Sequence, residues 1–445
     1  MRVHRMILAA AAVVATLTPA PARAQNAGLS GLLLRFFQGA DPVILVETNH
    51  PAHFGAQPGA QGIMTAINRS IASQIATFPL GSSSGGFAYT FDPELGVFSR
   101  STESFGPLFA ERALTIGRGK LGFGATYLRS TYDSFEGQNL HNGDVAFYLV
   151  HRDVDRDGSH LNPYFEGDRI QANLFLDLQT DTTVFFGNYG VTDKLDVGFA
   201  IPYLRIEMNS RMHFRIHHLS TAPDPFVIHT FAFQSDGSGF DEADVSLSGS
   251  AEGLGDLVAR AKYQLKRYGA GGLAAAVDLR LPTGDEQELL GSGATQAKLF
   301  LIASGGGRKF SPHLNFGYTF SSGGGAAIGA LPDEINYTAG FDAALHPRVT
   351  LTADIVGRTL LNTQRIEVQE ETWDYVVRDR PSSVVFTSFP RLVPVDTDLN
   401  ILIGAVGLKL NPVGNLLISG NVLLSQGKRG LQDYVTPVVS VDYSF

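Results

Sequence analysis

The chain has 445 residues, 34 Lys and Arg against 43 Asp and Glu for a formal charge of −9, no cysteine, and a mean hydropathy of +0.04. Absent cysteines exclude thiolate catalysis, disulfide staples and cysteine-type zinc sites, and the acidic balance disfavours nucleic acid as a partner. A charged fraction of 17% at near-zero hydropathy is too polar for a helical membrane bundle, whereas strands that alternate apolar and polar residues average to such a value.

At the start, Arg2, His4 and Arg5 precede the apolar run Met6 to Leu17, and Ala22-Arg23-Ala24 offers small residues for cleavage. Residues 1–24 read as a signal peptide cut before Gln25. Its loss removes Arg2, Arg5 and Arg23 and leaves a still more acidic chain. No later run is long and apolar enough for a membrane helix.

Residues 25–117 read as a plug or hatch segment, since their pattern is not that of spanning strands. Leu29 to Phe37 is apolar and short, and Ile63, Ile67, Ile71 and Ile75 recur four apart, which predicts a helix with one apolar stripe. The serine- and glycine-rich stretch 81–86 ends it. Phe87, Tyr89 and Phe91 alternate before a turn at 92–96, so a small hairpin with Val97 and Phe98 is expected.

After Arg118 the period becomes two. Strands are predicted at 118–130, 168–190, 195–207, 255–266, 272–282, 294–304, 309–320, 334–345, 348–359, 398–410, 413–425 and 434–445. The links alternate between short (191–194, 267–271, 305–308, 346–347, 411–412) and long (131–167, 208–254, 283–293, 321–333, 360–397, 426–433). Outer-membrane barrels are built this way, with short turns in the periplasm and long loops outside. The expected fold class is all-β: a transmembrane antiparallel β-barrel of about 12 strands over residues 118–445, or 14 if the early hairpin joins the wall, with an N-terminal plug containing short helices.

Energy decides which face meets lipid, because an Arg or Lys facing lipid near the midplane costs about 2–4 kcal/mol. Arg260 and Lys262 must therefore face the lumen, with Leu257, Ala259, Ala261, Tyr263 and Leu265 outside. By the same rule Asp278, Arg280, His313, Asn315, Arg348, Asp354 and Arg358 turn inward. The 398–410 stretch is apolar on both faces, and its register stays open.

The last strand, Tyr434 to Phe445, places Val435, Pro437, Val439, Val441, Tyr443 and Phe445 on one parity. Proline cannot donate to a ladder, so a bulge or an unpaired position is expected at Pro437. Tyr443 and Phe445 give the terminal aromatic pattern read by the outer-membrane assembly machinery.

Few clusters carry chemistry. Asp153, Asp155 and Asp157 with Gly158 have the spacing that opens a calcium loop, but Tyr164 stands where a bidentate Glu belongs and Glu166 lies two places late. An acidic, solvated external loop is the better reading, so no metal site is expected. Arg211, His213, Arg215 and His217 alternate, and interleaved arginines repel a cation, so a strand extending above the membrane is expected there. No spacing resembles a nucleophile elbow, and no catalytic residue or cofactor is placed.

Asn188-Tyr-Gly-Val-Thr-Asp-Lys-Leu-Asp196, then Gly253-Leu-Gly-Asp256 with Ala261-Lys-Tyr263, then Leu281-Pro-Thr-Gly-Asp285, resemble the MetA-pathway phenol-degradation family over roughly 115–445. That family consists of outer-membrane barrels similar in plan to the long-chain fatty-acid transporter with its N-terminal hatch. The resemblance implies passage of small hydrophobic or aromatic compounds across the bacterial outer membrane, reached by export through the periplasm. Its motifs are turns and strand starts, so they carry architecture and no substrate-binding residue. Membrane lipid, lipopolysaccharide and small hydrophobic solutes are the partners expected. The alternatives are a structural or adhesive barrel acting through its long loops 208–254 and 360–397, and a lipid-modifying barrel enzyme.

Overall fold

The computed structural model describes residues 28–36, 54, 58–77, 81–82, 86–92, 97–151, 153–159, 161, 163–221, 229–233, 235, 238–324 and 329–445; the leader read over 1–24 and the turn read over 93–96 lie outside them. Twelve antiparallel strands form the wall: β1 Leu121–Thr131, β2 Arg169–Gly190, β3 Leu195–His217, β4 Leu257–Tyr268, β5 Gly271–Leu281, β6 Thr295–Ser304, β7 Phe310–Ser322, β8 Glu334–His346, β9 Val349–Val377, β10 Arg380–Leu410, β11 Leu416–Gln426 and β12 Val435–Ser444. Each pairs with the next, and β12 pairs back onto β1 from Val438↔Leu128 to Ser444↔Gly122, which closes the ring. Closure gives every wall strand a partner on both sides, as hydrocarbon requires. The hairpin Tyr89–Asp92 with Val97–Arg100 pairs only with itself, so the barrel has twelve strands and not fourteen.

The outward row is apolar. Leu265, Leu273, Leu279, Leu299, Leu301, Leu314, Phe316, Ile355, Val439 and Val441 are all exposed, on the parity opposite the buried polar side chains of the same strands. In β10 the outward residues are Val406, Leu408 and Leu410, while Leu399, Ile401, Ala405 and Lys409 are buried, which settles the register that the sequence left open. Aromatic residues gather where the short turns lie: Phe123 meets Phe445 edge-on, Tyr443 lies 4.7 Å from Phe445, and the Phe445 N–H donates to the Leu121 carbonyl at 2.8 Å. Such a girdle suits the membrane interface. Arg348 sits exposed in a short turn and does not reach the lumen. Pro437 keeps register with Val422 without a bulge, and on its other side it lies one residue before the first β1 partner.

Two segments are more ordered than their sequence indicates, and a third, around Arg211 to His217, forms the extended strand expected there. The link read over 360–397 is the upper half of a ladder in which β9 and β10, of 29 and 31 residues, pair from Val349↔Leu410 to Val377↔Arg380. A bilayer needs only about 9–11 residues per strand, so most of this hairpin stands clear of it. A bulge interrupts the ladder between Leu360 and Thr363, where Asn362 adopts φ 48°; asparagine tolerates that conformation better than most residues. Charges on both faces hide such a strand, because above the membrane neither face must be apolar. Likewise β3 runs on to His217, and Glu242–Leu254 forms a strand of its own beside it. Across that pair Arg211 and His213 meet Asp244 at 2.8 and 3.2 Å and Arg215 meets Glu242, so three of the alternating residues face acids in a protruding ladder, while His217 bonds Gln171. From Glu242 to Tyr268 the chain is nearly one strand, stepped at Gly255 and Asp256.

The plug enters with a short helical turn, Leu29–Leu32, that tightens over Leu33–Phe36, followed by helix α1, Pro58–Ala76. The predicted stripe is its buried face: Ile63, Ile67, Ile71 and Ile75 cluster with Leu29, Leu33 and Phe36 and with Phe147 of the short strand Val145–Val150 and Leu174, Met208 and Phe214 of β2 and β3. The fold is thus a transmembrane barrel whose long-loop end is filled by a helical plug.

Candidate functional site: a plugged lumen

Below α1 the chain continues through residues 101–116 without regular structure. An extended segment held inside a barrel must still find partners for its N–H and C=O groups. Wall side chains supply them. Thr350 Oγ1 accepts from the Phe105 N–H at 3.0 Å, and Asp354 accepts from both Leu108 and Phe109 at 2.9 Å. Asn315 accepts from the Glu111 N–H at 2.6 Å and donates back to its carbonyl at 3.1 Å. Ser304 accepts from the Ala113 N–H at 2.9 Å and Asp196 from Ile116 at 3.0 Å. In the other direction Lys262 donates to Leu114 O at 2.9 Å, Gln264 to Ala113 O at 3.1 Å and Lys409 to Pro107 O at 2.7 Å. The wall therefore does for this segment what a neighbouring strand would do.

An ionic cluster fixes the same floor. Glu111, almost fully buried, pairs with Arg260 and lies 3.7 Å from Lys262, while Arg260 grips Asp278 in a bidentate pair through Nε and Nη2, each at 2.5 Å. Lys262 also lies 3.6 Å from Asp196. The buried charges of opposite sign compensate each other, and removing one partner would leave the others with an uncompensated desolvation penalty. Higher up, the C-terminal end of α1 is capped from the wall: Arg280 donates to the Ala76 carbonyl, and Arg358 donates to Thr77 O at 2.8 Å and Thr77 Oγ1 at 2.6 Å while pairing with Glu334. Cations at a helix C-terminus complement its dipole and its free carbonyls.

Arg260, Lys262, Arg280, Asn315, Asp354 and Arg358, named from sequence, each touch the plug directly. Asp278 stands one step back behind Arg260, and buried His313 bonds Ser304 at 3.0 Å and the Asp342 carboxylate. Their partners on the plug, Glu111 above all, were not singled out from sequence, nor were Ser304, Thr350, Asp196 and Lys409. A charged or hydroxyl residue on inward parity was the only signal available for these.

Beside the polar floor the lumen carries a second surface that alternation alone conceals. Leu128 of β1, Val184 of β2, Leu204 of β3 and Val438 of β12 are buried on the inward parity of adjacent strands. With Leu108 of the plug they line a mainly apolar cavity that Asp256 also reaches, and Phe109, Val258, Arg260 and Arg280 line both this cavity and a more polar one with Asn315 and Arg358. Asp153 and Asp155 lie at the long-loop end with Glu166, whereas Asp157 turns to Ser159.

Among solved structures, the chain is similar to an outer membrane channel from Pseudomonas putida F1, at 12% identity over 75% of this chain and 98% of that one with a TM-score of 0.43. It is also similar to a FadL homologue of Pseudomonas aeruginosa, at 10% identity over 81% and 96% with a TM-score of 0.33, and to the toluene transporter TbuX of Ralstonia pickettii, at 13% over 74% and 90% with 0.26. A search of curated proteins returned no match. Residues 152–358 match the model of the family described as "Putative MetA-pathway of phenol degradation", the family that the turn motifs at 188–196, 253–263 and 281–285 resemble.

Proposed function

We propose that this protein is an outer-membrane channel that passes small hydrophobic or aromatic compounds by facilitated diffusion. The observation that carries the proposal is the apolar inward patch Leu128, Val184, Leu204 and Val438, which spans adjacent strands and lines a cavity beside the polar floor of the lumen. Water-filled pores have no use for such a surface, whereas an apolar solute gains about 25 cal/mol for each Å² it removes from water there. The description of the matched family, phenol degradation, agrees in substrate class. In this reading residues 1–24 are a cleaved leader, 25–117 the plug and 118–445 the barrel; the long-loop end faces outward toward lipopolysaccharide and the short turns face the periplasm. Tyr443 and Phe445 present the closing strand to the assembly machinery. The polar residues around Glu111 hold the plug, and solute moves past Phe109 when that hold loosens.

Uptake of labelled toluene and phenol into cells with an intact lipopolysaccharide leaflet tests this. Cells carrying the protein should take up both faster than cells without it, and Leu128→Asp, which puts a carboxylate in the apolar cavity, should return toluene uptake to background. Equal uptake with and without the protein removes the reading. A second reading, an adhesive barrel, draws on the protruding β9–β10 hairpin; loss of surface attachment with unchanged uptake on shortening that hairpin would favour it.

A further inference from the structure

The loop leading into β2 holds a constellation that solute passage does not use. Asp153, Asp155 and Glu166 bring one carboxylate oxygen each to within 4.8 Å of one another. The two aspartates ride on a loop curled through Arg156 at φ 62° and Gly158 at φ 82°, and Glu166 comes from the 3-10 turn Tyr164–Gly167 across from it. Glu166 is fully buried. Its Oε1 accepts the Val154 N–H at 2.6 Å, so the carboxylate is aimed into the loop, and its Oε2 has no hydrogen-bond partner.

Three carboxylates so close repel one another, and a buried carboxylate oxygen without a donor is costly. A proton on Glu166 would answer only its own oxygen and leave the aspartates unneutralised. A hard divalent cation with an appetite for several oxygen ligands answers all three, which is the chemistry of calcium loops. Asp153 also accepts the Asp157 and Gly158 N–H groups at 3.2 and 2.9 Å and Asp155 the Asp157 N–H at 3.1 Å, whereas Asp157 has both oxygens engaged by Ser159, its N–H at 2.7 Å and its hydroxyl at 3.1 Å, and is not one of the three converging carboxylates. We propose that Asp153, Asp155 and Glu166 form a calcium site, in which Glu166 provides the closing carboxylate that the sequence spacing had placed two residues too late.

The site would fasten this loop to the cap over the long-loop end. Immediately after Glu166, the Gly167 carbonyl accepts the Trp373 indole N–H of β9 at 3.0 Å, and Asp168 accepts the Ser220 N–H at 2.9 Å. Full-length protein in detergent, stripped with a chelator and titrated with calcium chloride by calorimetry, should bind one equivalent saturably. Glu166→Gln should weaken that binding by at least about ten-fold and Asp157→Asn by less than about three-fold. The proposal is overturned by absence of saturable binding at millimolar calcium, by wild-type affinity in Glu166→Gln, or by equal losses in the two variants, which would mean diffuse attraction to an acidic loop. Heat-modified gel mobility checks that each variant is folded; should Glu166→Gln fail that check, Asp153→Asn replaces it with the same expected loss.

Discussion

The two halves of the plug are held in opposite ways. Helix α1 satisfies most of its own backbone and, beyond the arginine cap at its C-terminal end, needs an apolar surface, which Phe147 of the short strand Val145–Val150 and Leu174, Met208 and Phe214 of β2 and β3 provide. The segment 101–116 satisfies almost none of its own, so it lies where Thr350, Asp354, Asn315, Ser304, Asp196, Lys262 and Gln264 reach it. Wall side chains in this barrel thus answer the backbone of what they enclose: they hydrogen-bond where the plug is extended and pack apolar surface along the helix stripe. A plug built this way can loosen at its floor while its helix stays seated, because the two attachments draw on different interactions.

That contrast is open to direct attack. The largest effect is expected from Glu111→Ala, which leaves Arg260 and Lys262 buried without their shared partner and should cost about 3–5 kcal/mol of stability in denaturant unfolding. Hydrogen exchange should then rise across residues 104–116 and stay low in α1; uniform exchange through both halves would show that the plug is one cooperative unit. Ile71→Ala removes a fully buried side chain from the helix face. It should cost about 2 kcal/mol, toward the low end for such a truncation because alanine is the better helix former, and should raise exchange in α1 while the floor stays protected.

A smaller effect concerns pH. Burial would depress the His218 imidazole, but the Asp168 carboxylate 3.6 Å away and the hydrogen bond to Asp241 at 3.0 Å outweigh that and raise its pKa above the ordinary 6.5. Asp168, Asp241, His217 and His229 are the titratable groups around it. A raised folded pKa means that the pairing contributes fully below the unfolded value and is lost as pH rises through the folded one. Exchange at 217–221, corrected for the intrinsic rise of amide exchange with pH, should therefore increase between about pH 6 and pH 8.5 by an amount worth less than about 1 kcal/mol. No change, or an increase toward acid, would show that His218 does not hold the cap.

The strand positions were readable because the constraint on them is local. Each spanning strand must show lipid an apolar row whatever its neighbours are, so Arg260 with Lys262, or Asp278 with Arg280, fixes a register alone. The same logic failed on β10, where Lys409 is the one charge inside the bilayer-length stretch 398–410 other than Asp398 at its start, and on the β9–β10 hairpin above the membrane, where no solvent penalty enforces a pattern.

By itself the sequence determined a closed wall of about twelve strands, with fourteen left open until the early hairpin was placed, its oily outside and the helical stripe of the plug, since bilayer and helix geometry act on each segment separately. Only the tertiary structure decided that Glu111 lands between Arg260 and Lys262, that four apolar residues from separate strands form one lumen patch, and that Glu166 reaches Asp153 and Asp155. Those meetings depend on where the chain is brought back across the lumen or the loop, and no residue's own neighbours along the chain encode that distance.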